Sequence, residues 1–126
     1  TCSLFPGHEL VKRTYQDAVV APITDSPKPP PERTTLTLPF LNQRTRHVIV
    51  CGAGASKGPV LQDVIASLSE APSPGGTPVS LTLNPNTNLP SGMVLPKVAI
   101  ASSSLTWIVD ADAMQDVTLP ALQSGL

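Results

Sequence analysis

The chain has 126 residues, which is room for one domain or for part of one. Apolar residues make up 40% of the sequence, enough to form a core, and the formal net charge is −1. Because nucleic-acid-binding domains usually carry a basic excess, we predict no nucleic-acid partner. The apolar runs are far shorter than a membrane span and no signal segment opens the chain, so we also predict no membrane association.

The two cysteines, Cys2 and Cys51, do not match the spacing of a metal site, and we predict neither a metal nor another cofactor. Cys51 ends an apolar run that is typical of a strand. We therefore predict that it is a small buried side chain, with a disulfide to Cys2 as the alternative. Free thiols suit a reducing compartment, so a cytoplasmic location is expected.

The first third of the chain is rich in β-branched residues and proline. DAVVAPIT at 17–24 predicts a short edge or terminal strand, because proline interrupts it. SPKPPPER at 26–33 predicts a stiff, extended strap, since residues before proline avoid the helical region. A linker or an SH3-type ligand is the alternative. TLTLPFLNQ at 35–43 indicates a strand end and then a short helix with Pro39 near its start.

The clearest unit is a strand, a glycine-rich loop and a helix. HVIVCGAG at 47–54 predicts a strand buried on both faces. The following segment predicts a helix with Ser56 as N-cap and Pro59 in the first turn. Its apolar residues recur at helical spacing, namely Val60, Leu61, Val64, Ile65 and Leu68.

Turn-forming residues fill 71–90, which we predict to be a mobile surface loop, and 90–96 indicates a short helical turn. LTWIV at 105–109 predicts a second buried strand, a neighbour or near neighbour of 48–51 in a mostly parallel sheet. Asp110 and Asp112 then suit a helix N-terminus better than a pair of catalytic carboxylates.

The sequence GAGASKG at 52–58 is the main candidate binding site. Glycines allow close backbone approach, and a helix N-terminus favours an anion. Lys57 opposes the helix dipole there, so a bound phosphate would explain its position. The spacing matches neither the dinucleotide-binding nor the Walker A pattern, and an ordinary turn with a solvated lysine is the alternative.

Arg33 follows the proline-rich segment, and a stiff segment holds a guanidinium at low entropic cost for phosphate recognition. A surface arginine is the alternative. Lys28, between prolines, is predicted to be mainly solvated. His8 is expected at the surface, and His47 is expected to be structural.

Several segments together resemble the 6-phosphogluconolactonases. TCSLFPGH at 1–8 is similar to the end of that family's DGHTxSLFPxH motif. APITDSPKPPPERTTLTLP at 21–39 is similar to its APIxxSPKPPxxRxTLTLP stretch, and VIVCGAGASKGPVL at 48–61 to its strand, loop and helix. LPSGMVLP and LTWIVDADA match its closing segments more loosely, and 71–89 resembles an insertion.

This resemblance implies an α/β fold, a Rossmann-like three-layer sandwich with a mostly parallel sheet that is incomplete in this chain. It also implies hydrolysis of 6-phospho-D-glucono-1,5-lactone to 6-phosphogluconate in the pentose phosphate pathway, without metal or cofactor. A histidine would act as general base for water attack on the lactone carbonyl, and nearby donors would stabilise the oxyanion.

That histidine belongs to an Asp-Gly-His triplet, which the resemblance places immediately before Thr1. Residues 1–126 are then the C-terminal portion of one domain, whose N-terminal half is a necessary partner, and the chain alone is expected to be inactive. Carried over by position, Arg33 and Lys57 would bind the substrate phosphate. Thr1 and Ser3 would line the pocket, with Lys28 as a weaker candidate and no catalytic residue within the chain.

Two other functions stay open at this point. One is a glucosamine-6-phosphate deaminase of the same fold, against which the SPKPP segment argues. The other is a non-catalytic phosphosugar-binding fragment, which the absence of the expected histidine favours.

Overall fold

The structure, a computed structural model, describes residues 1–12, 17–97 and 102–120. It divides into two compact units, Thr1–Val50 with Asn88–Thr106 and Cys51–Thr87 with Trp107–Leu126. The elements in chain order are α1 (Glu9–Lys12), β1 (Val20–Ile23), β2 (Arg33–Leu36), α2 (Leu38–Gln43), β3 (His47–Gly52), a 3₁₀ turn (Ala55–Lys57), α3 (Gly58–Val64), β4 (Ile65–Leu68), β5 (Leu81–Leu83), a 3₁₀ turn (Pro90–Met93), β6 (Ser104–Val109) and α4 (Ala111–Met114).

In the first unit, β1 and β2 form an antiparallel pair. Pro22 lies opposite Thr34, and an outer position on a two-stranded sheet tolerates its missing N–H, as predicted. The alternate residues of β1 are buried in a core that also takes in α1 and the segment before it. The buried members of this core are Leu4, Leu10, Ala21 and Ile23.

The link from β2 to α2 follows the prediction. Thr37 has an extended backbone and caps the helix, because its side chain accepts a hydrogen bond from the N–H of Phe40. Pro39 occupies the first turn, where its missing N–H is not needed. The helical turn predicted at 90–96 is also present, as the 3₁₀ turn Pro90–Met93.

The proline-rich segment is not the extended strap that its sequence predicts. It turns back on itself, since the N–H of Ser26 donates to the carbonyl of Pro31 at 3.1 Å. The peptide bond between Pro29 and Pro30 is cis. The extended prediction is wrong because side chains at both ends of the segment bond its carbonyls, which an isolated polyproline helix leaves to water. We call residues 24–33 the proline loop.

Strands β3 and β6 are hydrogen-bonded neighbours, as predicted. They run in the same direction, because Ser104 at the start of β6 donates to Arg46 just before β3. Beyond the other end, Gly54 bonds Asp110. The parallel pairing therefore brings the carboxyl ends of β3 and β6, and the loops that follow these strands, to the same edge of the sheet.

The expectation that β3 is buried on both faces is wrong. Its residues alternate between exposed and half-buried, with Ile49 62% exposed, and Cys51 is exposed and forms no disulfide. Strand β6 shows the same alternation, with Ile108 55% exposed and Trp107 half-buried. Burial needs a second layer, and the described residues supply no cover for the side that carries Ile49.

The helix predicted after the glycine-rich loop ends early. Helix α3 stops at Val64, and Ile65–Leu68 instead form β4, antiparallel to β5 with a bulge. Pairing with β5 satisfies backbone groups that a helix would satisfy internally, and it buries Ile65 and Leu68 beside the core residues Leu61 and Val64. The predicted loop at 71–90 accordingly contains a strand. No helix within the described ranges is long and apolar enough to cross a membrane.

Candidate functional site

The glycine-rich loop after β3 is closed by its own backbone hydrogen bonds. Gly54, at φ 83°, begins the 3₁₀ turn, and its carbonyl accepts from the N–H of Lys57 at 3.0 Å. The N–H of Gly58 donates to the carbonyl of Ala55. Ser56 lies within this turn and is not the N-cap that the sequence predicts, because α3 begins at Gly58 with Lys57 at the cap position.

The side chain of Lys57 is exposed, and its methylene groups pack against the end of β3. A Cβ placed on Gly52 would lie 3.8 Å from Cγ of Lys57 and 3.8 Å from Cγ1 of Val109. The methylenes of Lys57 therefore lie against the end of β3, close to the end of β6. An ammonium carried by a stem that packs in this way is available to a ligand, and the packing of the methylenes stabilises its position.

Asp110 joins the loops after the two parallel strands. Its carboxylate accepts hydrogen bonds from the N–H of Gly54, with both oxygens at 3.0 Å, and from the N–H of Ala113 at 2.9 Å. These N–H groups favour the charged form, first that of Ala113 and then that of Gly54, and they lower the pKa of Asp110. The cap on α4 is as predicted, but the bond to Gly54 has no signal in the sequence, because it joins residues 56 positions apart.

Arg33 is bound mainly to the proline loop. Its Nε donates to the carbonyl of Pro30 at 3.0 Å, and its Nη2 donates to those of Lys28 and Pro29 at 2.9 and 2.8 Å. The guanidinium also lies over the ring of Phe5, 5.6 Å from its centroid. These bonds use three of the five N–H groups of the side chain, and the pair on Nη1 remains for a ligand as far as the described residues are concerned.

The backbone of Lys28 is held on both sides. Its N–H donates to Oγ of Ser26 at 3.2 Å, and its carbonyl accepts from that hydroxyl at 2.7 Å as well as from Arg33. Its side chain is exposed. Nothing in these contacts assigns the ammonium a partner, so its role at the site stays a prediction.

An open groove of about 320 Å³ lies beside the first residues of the chain and the β1–β2 pair. Ser3 lines it, and the N–H of Ser3 is anchored by a 3.0 Å bond to Oγ1 of Thr35. Thr1 is exposed and holds the turn by accepting from the N–H of Leu4, but it is not among the lining residues. The lining residues are Cys2, Ser3, Val20, Thr34, Thr35 and Leu36.

His8 is more enclosed than its sequence context predicts, and its side chain is 15% exposed. Its Nδ1 accepts from the N–H of Leu10 at 3.1 Å, so the proton of the neutral ring is on Nε2, which donates to Asp25 at 2.9 Å. His8 thus ties the segment before α1 to the start of the proline loop. The spacing of the two residues carries no motif that would have indicated this pair.

The hydrogen bond from His8 lowers the pKa of Asp25 below its ordinary 3.8. A lowered pKa contributes stability that is complete above the unfolded-state value and is lost as pH falls through the folded value. We therefore expect Asp25→Asn to flatten the acid destabilisation of the full-length protein below about pH 4. Urea unfolding at pH 6 and pH 3 measures this. Asp17→Asn, at a fully exposed carboxylate, is the control, and equal slopes in both variants would contradict the assignment.

Arg33 and Ser3 belong to the first compact unit, and Lys57 and Asp110 belong to the second. The structure thus places Ser3 in a groove, Arg33 in the proline loop and Lys57 at the ends of two parallel strands. Joint phosphate binding by Arg33 and Lys57 stays a prediction.

Comparison with known proteins agrees with the family resemblance. The sequence profile described as glucosamine-6-phosphate isomerases/6-phosphogluconolactonase matches residues 1–89. A 6-phosphogluconolactonase of Bos taurus is 38% identical over 120 residues, which cover 95% of this chain and 38% of the relative, and that of Homo sapiens gives the same values. A probable 6-phosphogluconolactonase of Schizosaccharomyces pombe is 46% identical over 126 residues, covering 98% of this chain and 39% of the relative.

The chain therefore spans less than two fifths of the length of each of these relatives. The profile match covers well over half of the chain, and the relatives align with nearly all of it. The chain belongs to the glucosamine-6-phosphate isomerase/6-phosphogluconolactonase family.

Proposed function

We propose that the full-length protein containing this chain hydrolyses 6-phospho-D-glucono-1,5-lactone to 6-phosphogluconate. The observation that carries the proposal is that relatives named 6-phosphogluconolactonase align with 95–98% of the chain. The proline loop supports it, since SPKPP distinguishes the lactonase motif from that of the deaminases. On this proposal the protein is a cytoplasmic hydrolase of carbohydrate metabolism.

The proposed reaction needs a base, an activated water and a site for the oxyanion. Water attacks the lactone carbonyl carbon, the base takes the proton of the water, and the ring C–O bond breaks as the ring oxygen is protonated. The family motif places the base, a histidine, immediately before Thr1. The groove lined by Ser3 and Thr35 then lies next in sequence to that base, which suits it to hold part of the lactone.

Lys57 and Arg33 are the proposed phosphate ligands. The exposed ammonium of Lys57 supplies a point charge. The N–H of Gly54 is already bonded to Asp110 and is not available to the ligand. The contribution of Arg33 falls to its Nη1, because the other N–H groups bond the proline loop. Lys28 remains the weaker candidate. Thr1 is proposed to contact the substrate because it follows the proposed base directly in the sequence.

The rest of the domain is the proposed partner of this chain. In a Rossmann-like three-layer sandwich a parallel sheet is covered on both faces. Ile49 and Ile108 are large apolar side chains that are more than half exposed, and a covering layer from the remaining polypeptide would bury them. Residues 1–126 are on this proposal the C-terminal portion of one domain.

The test compares three proteins on two substrates. The full-length protein should release acid from 6-phosphogluconolactone well above the spontaneous rate and should not convert glucosamine 6-phosphate. The 126-residue chain alone should stay at the spontaneous rate, because loss of a general base costs about 100- to 10,000-fold. The third protein is a full-length variant with the histidine before Thr1 replaced by Ala.

Deamination of glucosamine 6-phosphate without lactonase activity would overturn the proposal in favour of the other branch of the family. Binding of 6-phosphogluconate without turnover of either substrate would favour a phosphosugar-binding protein. Full activity of the chain alone would show that the base lies within residues 1–126, and the assignment to the preceding histidine would be wrong.

A further inference from the structure

Asp110 has the geometry of a residue that acts through the glycine-rich loop. Its carboxylate receives the N–H of Gly54 on both oxygens, and the carbonyl of the same Gly54 receives the N–H of Lys57. Gly54 is thus hydrogen-bonded through both its N–H and its carbonyl. It links the carboxylate of Asp110 to the backbone of Lys57. The bond from Ala113 keeps Asp110 itself in place at the start of α4.

The backbone conformation of Gly54 explains why its hydrogen bond to Asp110 matters for the loop. Its φ of 83° lies in the region that glycine reaches readily, and the same freedom gives the loop many alternative conformations when unbonded. A charged acceptor strengthens the bond from Gly54 and selects one of these conformations. The side chain of Lys57 starts from this turn and lies against Gly52 and Val109, so the direction of its stem depends on the same conformation.

We infer that Asp110 is a positioning residue for Lys57, on which it acts through the backbone N–H and carbonyl of Gly54. The inference rests on the proposed function, since it assumes that Lys57 contacts the substrate phosphate. It assigns a role to Asp110 in the LTWIVDADA segment. Asp110 caps α4 with one hydrogen bond and positions Lys57, the proposed phosphate ligand, with the other two. The carboxylate itself is expected to touch no substrate atom.

The test is Asp110→Asn in the full-length enzyme, because the amide keeps the size of the side chain and loses its charge. The KM for 6-phosphogluconolactone should rise about three- to tenfold with little change in kcat, the effect of one weakened charge-assisted bond. In an enzyme that already carries Lys57→Ala, the same substitution should leave KM unchanged, because it has no lysine left to misplace. Asp112→Asn removes an equal charge two positions away and serves as the control.

A second measurement does not depend on activity. Hydrogen exchange of the Gly54 amide should accelerate in Asp110→Asn and stay as it is in Asp112→Asn. An equal rise in KM with and without Lys57 would overturn the inference and leave Asp110 a helix cap only. Unchanged exchange at Gly54 would also overturn it. If the unmodified enzyme does not hydrolyse the lactone, the proposed function fails, and the exchange experiment still decides whether Asp110 holds the loop.

Discussion

If the full-length protein is the proposed lactonase, replacing its Lys57 by Ala is expected to lower kcat/KM for 6-phosphogluconolactone about 10- to 100-fold. A charge-assisted contact with phosphate is worth about 1.5–3 kcal/mol, and ~1.4 kcal/mol corresponds to a factor of ten. The loss should appear mainly in KM if the phosphate is held alike in the ground state and the transition state. Steady-state kinetics with the fresh lactone measure both parameters.

A lactone without the phosphate separates binding from folding in this variant. The loss should shrink sharply on glucono-1,5-lactone, since the contact is then absent in both enzymes. Lys97→Ala is the matched control, because Lys97 is an exposed lysine whose backbone N–H, bonded to Asn42, is unaffected by the substitution. Equal losses on both lactones would mean that Lys57 supports the fold and that the phosphate binds elsewhere.

Replacing Arg33 by Ala is expected to affect both catalysis and stability. If Nη1 binds the phosphate, kcat/KM should fall about 10- to 100-fold, as for Lys57. The variant also removes the guanidinium donor from three carbonyls of the proline loop, of which only that of Lys28 keeps a second donor among the described residues, the hydroxyl of Ser26, and it loses the contact with Phe5. At roughly 1 kcal/mol for each bond, reduced by partial exposure, the free energy of unfolding should fall by about 1–3 kcal/mol.

Two further variants divide these roles. Arg33→Lys keeps the charge but not the set of three bonds, so it should recover part of the binding and little of the stability. Phe5→Leu removes the ring and keeps the hydrogen bonds, so its effect on stability should be smaller than that of Arg33→Ala. Urea unfolding and kinetics on both lactones provide the measurements. A loss in Arg33→Ala that is equal on both lactones would assign Arg33 to the proline loop alone.

Local patterns in the sequence predicted the elements whose signals lie within a few residues. The proline in the first turn of α2, the Asp110 cap on α4 and the strand at 105–109 all follow from neighbouring residues. The pairing of β3 with β6 was also predicted, because continuous apolar strands belong to a parallel sheet. The family resemblance depended on ordered motifs, above all the proline-rich stretch, and the profile match confirmed it.

The errors at Ile65, His8 and Cys51 have a common cause, which is a partner or a covering layer distant in the sequence. Ile65 continues the helical spacing of α3, yet its backbone pairs with Leu83 in β5. His8 resembles a surface residue in its local context, but Asp25 binds its ring. Cys51 ends an apolar run, yet it is exposed. An apolar run indicates only that a strand is suited to burial, and the layer that would cover the strand lies outside the run.

The sequence by itself determined the family, the parallel strand pair and the candidate residues Lys57 and Arg33. The reason is that helix caps, strand composition and motif order are properties of adjacent residues. Only the tertiary structure decided how these residues are held. Arg33 bonds three carbonyls of its own loop, and Asp110 accepts a hydrogen bond from Gly54, 56 positions away, in the turn that leads to Lys57. Hydrogen bonds between distant residues depend on the path of the backbone, and no local pattern specifies that path.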